Sequence, residues 1–189
     1  MASKIFAGVD EVGRGCLAGP VISCAVIFKK NINKKILKDS KTISFKDRLK
    51  IAEYIKKNSW YAIGSASVKE IDKYNILNAS LLSMERAAKK LKRKPHIFLI
   101  DGMHAPKKLK NSKTIIKGDE KVKCISAASI VAKAYRDLYM IKLGNKYPKY
   151  KWNKNFGYGT SQHLESLKKF GVTSYHRRSY KPVHNILFR

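Results

Sequence analysis

The chain has only thirteen acidic residues against forty-one lysines and arginines, so the position of each acid is informative. Four of them fall where a predicted strand ends. Asp10 and Glu11 follow a strand over 5–9, Asp101 follows one over 97–100, and Asp119 lies just beyond one over 114–116. Binding sites of α/β sheets gather at strand ends. Carboxylate oxygens suit hard cations such as Mg²⁺ and Mn²⁺. Two such ions, about 4 Å apart and bridged by an Asp, form an arrangement for in-line phosphodiester hydrolysis. Taken singly, each acid is as readily a turn cap or the partner of a nearby lysine; Asp101-Gly102 is a common turn pair.

Other chemistries find less support. The five histidines form no HExxH or other zinc spacing. His163 and His176 lie among polar residues and are read as structural, with phosphate contact or proton transfer as the alternative. There is no GxxxxGK[ST] loop, and Gly8-Val9-Asp10-Glu11-Val12-Gly13 matches no dinucleotide fingerprint. Cys16, Cys24 and Cys124 form no CxxC pair. Their odd number excludes a complete disulfide framework and points to a reducing cytosol. They are read as small buried hydrophobes.

The elements that must position these residues follow from periodicity and punctuation. Glycines 13, 15 and 19 with Pro20 mark a loop after the first strand. Residues 21–28 are a near-continuous apolar run, which suits a buried strand. Ser44 with Asp47 resembles a capping box ahead of a helix bearing Leu49, Ala52 and Ile55. Residues 60–68 read as a strand. Leu77, Leu81, Met84, Ala88 and Leu91 recur at helical spacing. Residues 125–141 form a second long helix, rich in Ala and Ser in its first half. Residues 147–159 read as an aromatic, lysine-rich loop, 160–170 as a helix closed by Gly171, and Pro182 as the start of a last short helix. Strands followed by helices interleaved with strands predict an α/β fold with a mixed sheet.

The chain has 189 residues and a formal net charge of +28. That length predicts a single domain over 1–189, with an α/β core to about 143 and a loop and helical segment from about 144. A pI near 10.1 points to a polyanionic partner, nucleic acid or an anionic membrane surface. No run approaches the ~20 apolar residues of a membrane span, and the N-terminus lacks the apolar stretch of a secretory signal. The expectation is a cytoplasmic protein with no membrane partner.

The residues also resemble a known family. Gly8 to Gly15, continuing through Leu17-Ala18-Gly19-Pro20-Val21, is similar to the opening of ribonuclease HII. The likeness continues at Asp39-Ser40-Lys41, Glu70-Ile71-Asp72, Asn75-Ile76-Leu77, Ile100-Asp101-Gly102 and Lys117-Gly118-Asp119. It runs on through the block from Ser126 to Lys133, Arg136-Asp137, Gly157-Tyr158-Gly159-Thr160 and His176-Arg177-Arg178-Ser179. These blocks follow the family's order across nearly the whole chain. Cys16 departs from it, standing where proline is common.

The resemblance implies an RNase H-like fold, a central mixed β-sheet flanked by helices with a helical C-terminal segment. It implies an endoribonuclease that hydrolyses the RNA strand of RNA–DNA hybrids and nicks 5′ to ribonucleotides embedded in duplex DNA, leaving 3′-hydroxyl and 5′-phosphate ends. The divalent metal, Mn²⁺ or Mg²⁺ in a two-ion mechanism, would be held by Asp10, Glu11, Asp101 and Asp119. Gly13, Arg14 and Gly15 would meet the 2′-hydroxyl and phosphates at the junction, and Tyr158 would pack on the ribonucleotide or its neighbouring sugar. Ser40, Lys41, Arg177 and Arg178 are implied substrate contacts. Asp137 is read as structurally paired. The chain lacks the length for the extra N-terminal domain of ribonuclease HIII. A monomer is expected, and no clear sliding-clamp-binding peptide is visible. The competing readings are a non-catalytic nucleic-acid-binding module and a DNA nuclease on the same fold.

Overall fold

The apolar run predicted as a buried strand is β2 (Val21–Phe28), buried along almost its whole length because helices cover both faces of the sheet. A computed structural model describes residues 4–29, 32–33, 36–37 and 43–188. Its sheet also contains β1 (Phe6–Val12), β3 (Ser59–Ala66), β4 (Ile97–Asp101) and β5 (Ser112–Ile115), in the order β3-β2-β1-β4-β5. β1, β2 and β3 pair antiparallel, while β4 and β5 join parallel to β1. The mixed sheet flanked by helices is the expected architecture.

One face is covered by α1 (Phe45–Lys57) and α4 (Lys123–Lys146), the other by α2 (Val68–Lys89). The small residues early in α4 let it lie almost on the sheet. A Cβ at Gly8 would overlap the backbone of Cys124 and Ile125. Gly64 does the same for α2, where a Cβ would overlap the Ser83 carbonyl. Val26, Ala52, Ile55 and the apolar side of α4 form the core on one face; Val9, Ala25, Met84, Ala87 and Ile100 form it on the other. All three cysteines are buried free thiols.

Two elements differ from expectation in ways that matter for the site. β1 runs to Val12, so Asp10 and Glu11 lie within the strand, where Asp10 pairs with Cys24 and Glu11 with Ser23. α2 begins at Val68, not near Leu77, under a capping box in which Ser67 and Glu70 bond reciprocally. It kinks at Asn75 (φ 65°), whose Oδ1 accepts from the Asn78 amide and caps the second half. The apolar periodicity had marked only that second half.

Short α3 (Gly118–Lys121) precedes α4, and α5 (Trp152–Asn155) lies in the predicted aromatic loop. α6 (Ser161–Phe170) has Thr160 as N-cap and Gly171 after its end, and α7 (Lys181–Leu187) has Pro182 in its first turn. This C-terminal segment packs around the far half of α4 in its own apolar cluster of Leu17, Met140, Trp152, Leu167 and Val183. No helix among the described residues is long and apolar enough to cross a membrane.

Candidate active site

β1 and β4 are neighbouring parallel strands in which Val9 faces Ile100. Asp10 and Asp101 therefore follow at matching positions and share a side of the sheet. That is the α4 side, because Gly8, two residues before Asp10, abuts α4. Ser129 of α4 gives a side-chain hydrogen bond to Asp10, and the Glu11 amide donates to Asp10 Oδ1 at 2.7 Å. Arg14 Nη1 lies 3.2 Å from Glu11 Oε1, whereas Glu11 Oε2 is buried without a hydrogen-bond partner among the described residues. Asp101 Oδ1 accepts from the Gly118 amide at 2.6 Å. The next residue is Asp119, buried at the start of α3, where its Oδ1 accepts from the Glu120 amide. The structure thus couples Asp10, Glu11 and Asp101 directly and joins Asp119 to them through Gly118.

This grouping is electrostatically tense. Burial pushes the Asp10 carboxyl well above its ordinary range, and the charges of Glu11 and Asp101 push it further. Burial also raises Glu11, against the pull of Arg14. Among the described residues no three acids, histidines or cysteines already converge as a closed cation cage. Mutual repulsion opposes such convergence in the absence of a cation. Hard oxygen donors, a buried carboxylate oxygen with no partner among the described residues, and raised carboxyl groups together fit a divalent metal.

The strain predicts a stability effect. A raised carboxyl means that the folded chain binds its proton more tightly than the unfolded chain does. The contribution of these two carboxyls to metal-free stability should therefore be fully present below the unfolded carboxyl range and be lost as pH rises through their raised folded values. In EDTA at neutral pH, Asp10→Asn should raise Tm by about 2–4 °C, the shift that about 1 kcal/mol gives a domain of this size. Calorimetry showing a lower Tm would remove the repulsion.

The Gly13–Pro20 loop follows directly. Gly13 has φ 92° and lies flat against Arg136; a Cβ would collide with the guanidinium. Arg14 and Gly15 are exposed at the tip, and nothing lies within 4 Å of the space a Gly15 side chain would take. Two buried arginines hold the rest. Arg136 donates to the carbonyls of Ala18, Pro20 and Phe156 at 2.9–3.1 Å. Arg177 donates to those of Gly13, Arg14 and Gly19 and to the Tyr180 hydroxyl.

The expected phosphate contact at Arg177 is thereby corrected. The side chain is fully buried and its donors are committed to the loop backbone. Its neighbour Arg178 is exposed, while its amide is tied to Asp72. Ser40 and Lys41 lie outside the described residues.

Tyr158 sits beside the loop, bridged to Cys16, and the residue is 38% exposed. Burial, reinforced by Cys16, pushes its phenol up to about 12, so the hydroxyl stays protonated at neutral pH. Lys133 Nζ lies 5.7 Å from the ring centroid and 2.7 Å from Asp137 Oδ1. Asp137 is fully buried, with Arg48 3.9 Å away, a structural pairing as expected. His163 and His176 are buried as well.

Ser129, Lys133 and Arg136 were not singled out from sequence as site residues. Their signal was spacing: positions 129, 133 and 136 lie on one helical face. That face runs from Asp10 to Tyr158 and the glycine loop.

Comparison with known proteins gives the family and the fold. The family model for ribonuclease HII matches residues 7–183. The chain is 55% identical over 186 residues to ribonuclease HII of Pelagibacter ubique (strain HTCC1062), covering 97% of this chain and all of that one. Its fold is similar to ribonuclease H2 from Pyrococcus horikoshii OT3, with TM-score 0.79, 27% identity and 96% of both chains covered. It is also similar to RNase HII in the PCNA complex from Archaeoglobus fulgidus, with TM-score 0.74, 25% identity, and 94% of this chain and 95% of that one covered.

Proposed function

From the premise that the chain belongs to the ribonuclease HII family, and so is a metal-dependent endoribonuclease acting on RNA–DNA hybrids, we propose that it also nicks 5′ to single ribonucleotides in duplex DNA. The observation that carries this reading is the mutually repelling set of buried Asp10 and half-buried Glu11 and Asp101 beside an exposed, rigidly backed glycine loop.

Asp10, Glu11, Asp101 and Asp119 would hold the divalent metal, Mg²⁺ or Mn²⁺. Bound in a two-ion arrangement, it supplies water activation and leaving-oxygen stabilisation. The chain's own residues supply position. Ser129 and the Glu11 amide orient Asp10, while the Gly118 amide orients Asp101. Gly13 and Gly15 leave the backbone open to a 2′-hydroxyl, the group that distinguishes ribose from deoxyribose. The exposed Arg14 and Arg178 offer charge to nearby phosphates. Tyr158 presents its ring to the sugar at the junction. The products would carry 3′-hydroxyl and 5′-phosphate ends. PCNA is a partner of the Archaeoglobus protein, and a clamp is no part of this proposal.

The test is a nicking assay on a duplex containing one ribonucleotide, with all-DNA and EDTA controls. The expected result is one metal-dependent nick 5′ to the ribonucleotide and an intact control. Retention without cleavage would indicate a binding module; cutting of the control would indicate a DNA nuclease. Tyr158→Ala should reduce kcat/KM about 10- to 100-fold on the single-ribonucleotide duplex and clearly less on a long hybrid. Equal losses on both would argue against junction reading by Tyr158.

A further inference from the structure

The glycine loop is gripped from two sides by segments distant from it in sequence. On one side Cys16 bridges Tyr158, and the Leu17 amide donates to the Gly157 carbonyl at 2.8 Å. On the other, Ala18 bridges His176, the Gly19 amide donates to Tyr175 and the Arg177 amide donates to Leu17. A pair of buried histidines joins the two flanks beneath the loop. His163 Nε2 and His176 Nε2 are 3.1 Å apart.

The protons in this pair have one self-consistent arrangement. A carbonyl only accepts, so His163 Nδ1, 2.8 Å from the Tyr158 carbonyl, carries its hydrogen and donates. His163 Nε2 is then an acceptor whose one lone pair is shared between two donors, the Trp152 indole at 3.0 Å and His176 Nε2. The Thr173 amide donates to His176 Nδ1 at 3.0 Å, which puts the hydrogen of His176 on Nε2. His176 therefore donates to His163. Both rings are neutral, since an added proton on either would oppose an existing donor. Burial favours the same state, lowering both groups, His176 to about 3 with help from His163.

The chain of donors runs one way, from Thr173 through His176 and His163 to the Tyr158 backbone. We propose that His163 and His176 are positioning residues which lock the Tyr158 backbone against the glycine loop and so set how well a lone ribonucleotide junction is read. This rests on the junction-reading role of Tyr158 given above. The pair touches no substrate; it acts by holding the carbonyl of the residue that would.

His163→Leu removes the donor to Tyr158. His163→Asn places an amide N–H near the position of Nδ1. Trp152→Phe deletes the indole donor while leaving the Tyr158 bond intact, and so reports loss of packing or stability alone. All three, with Tyr158→Ala, are assayed on the single-ribonucleotide duplex and on a long hybrid, with kcat and KM determined separately and Tm measured. The expected result for His163→Leu is a kcat/KM loss of about 10- to 100-fold on the single ribonucleotide, the scale of a small misplacement of reacting groups, against a much smaller loss on the hybrid. His163→Asn should recover most of that difference. Trp152→Phe should lower Tm without changing the ratio between substrates. If Tyr158→Ala is selective but His163→Leu loses equally on both substrates, the positioning role is overturned alone. If Tyr158→Ala is itself unselective, the junction reading falls and the proposal with it. Should His163→Leu fail to fold, His163→Phe, which keeps a ring but has no donor for the Tyr158 carbonyl, carries the test, and an unchanged substrate ratio in it overturns the proposal.

Discussion

Asp101→Asn should reduce turnover about 100- to 1000-fold while hybrid affinity stays within about twofold of wild type. Asparagine keeps the shape of the side chain, and its Oδ1 can still accept from the Gly118 amide, so the turn into α3 survives. What is lost is one negative charge from a set whose members already repel one another. On the proposed assignment of Asp101 as a ligand, metal affinity should fall with it. The cations that attract the polyanion are untouched, and removing an acid beside the phosphates does not weaken that attraction. Turnover on a single-ribonucleotide duplex and fluorescence anisotropy on an uncleaved hybrid measure the two halves separately. Wild-type turnover would place Asp101 outside the chemistry; a parallel collapse of affinity would mean that the acids organise the substrate groove itself.

The second large effect concerns a residue that never meets the substrate. In Arg177→Lys, charge is retained but the fork of donors is lost. Arg177 reaches three loop carbonyls and the Tyr180 hydroxyl at once, and a single ammonium cannot span them. Buried carbonyls left unpaired should destabilise the fold by about 3 kcal/mol, or about 6–12 °C in Tm for a domain of this size. Nicking should fall even at temperatures where the variant is folded, because Gly13 and Arg14 lose their backing. Arg178→Ala gives the contrast: an unchanged Tm and a log–log salt slope shallower by about 0.9 if one phosphate contact is lost. Calorimetry and salt titration on the two variants separate the roles. An unchanged Tm for Arg177→Lys would refute the clamp.

These adjacent arginines show where sequence reasoning reached and where it stopped. The acids were legible because they are scarce and because strand ends in such sheets face a common edge. The matched blocks placed Arg177 and Arg178 together near the site. Nothing local says which one turns inward. That is decided by carbonyls 158 to 164 residues earlier in the chain. α2 was half legible for a related reason. Asn75 in the left-handed region breaks the apolar period, so the capping box at Ser67 stood apart from the stripe it begins. The spacing of Ser129, Lys133 and Arg136 was available in the sequence, but its meaning required knowing which face of α4 meets Asp10 and Tyr158.

The grip on the glycine loop has a consequence for biosynthesis. The loop occupies the first tenth of the chain, yet its lateral partners are residues 157–158 and 175–177. Translation at about 5–20 residues per second completes β1 to β3 well before those partners leave the ribosome. During that interval the nascent chain has the carboxylates of β1 and no backed surface with which to recognise ribose. On the proposed role of this loop, selective recognition of ribose would be withheld until the polypeptide is nearly finished.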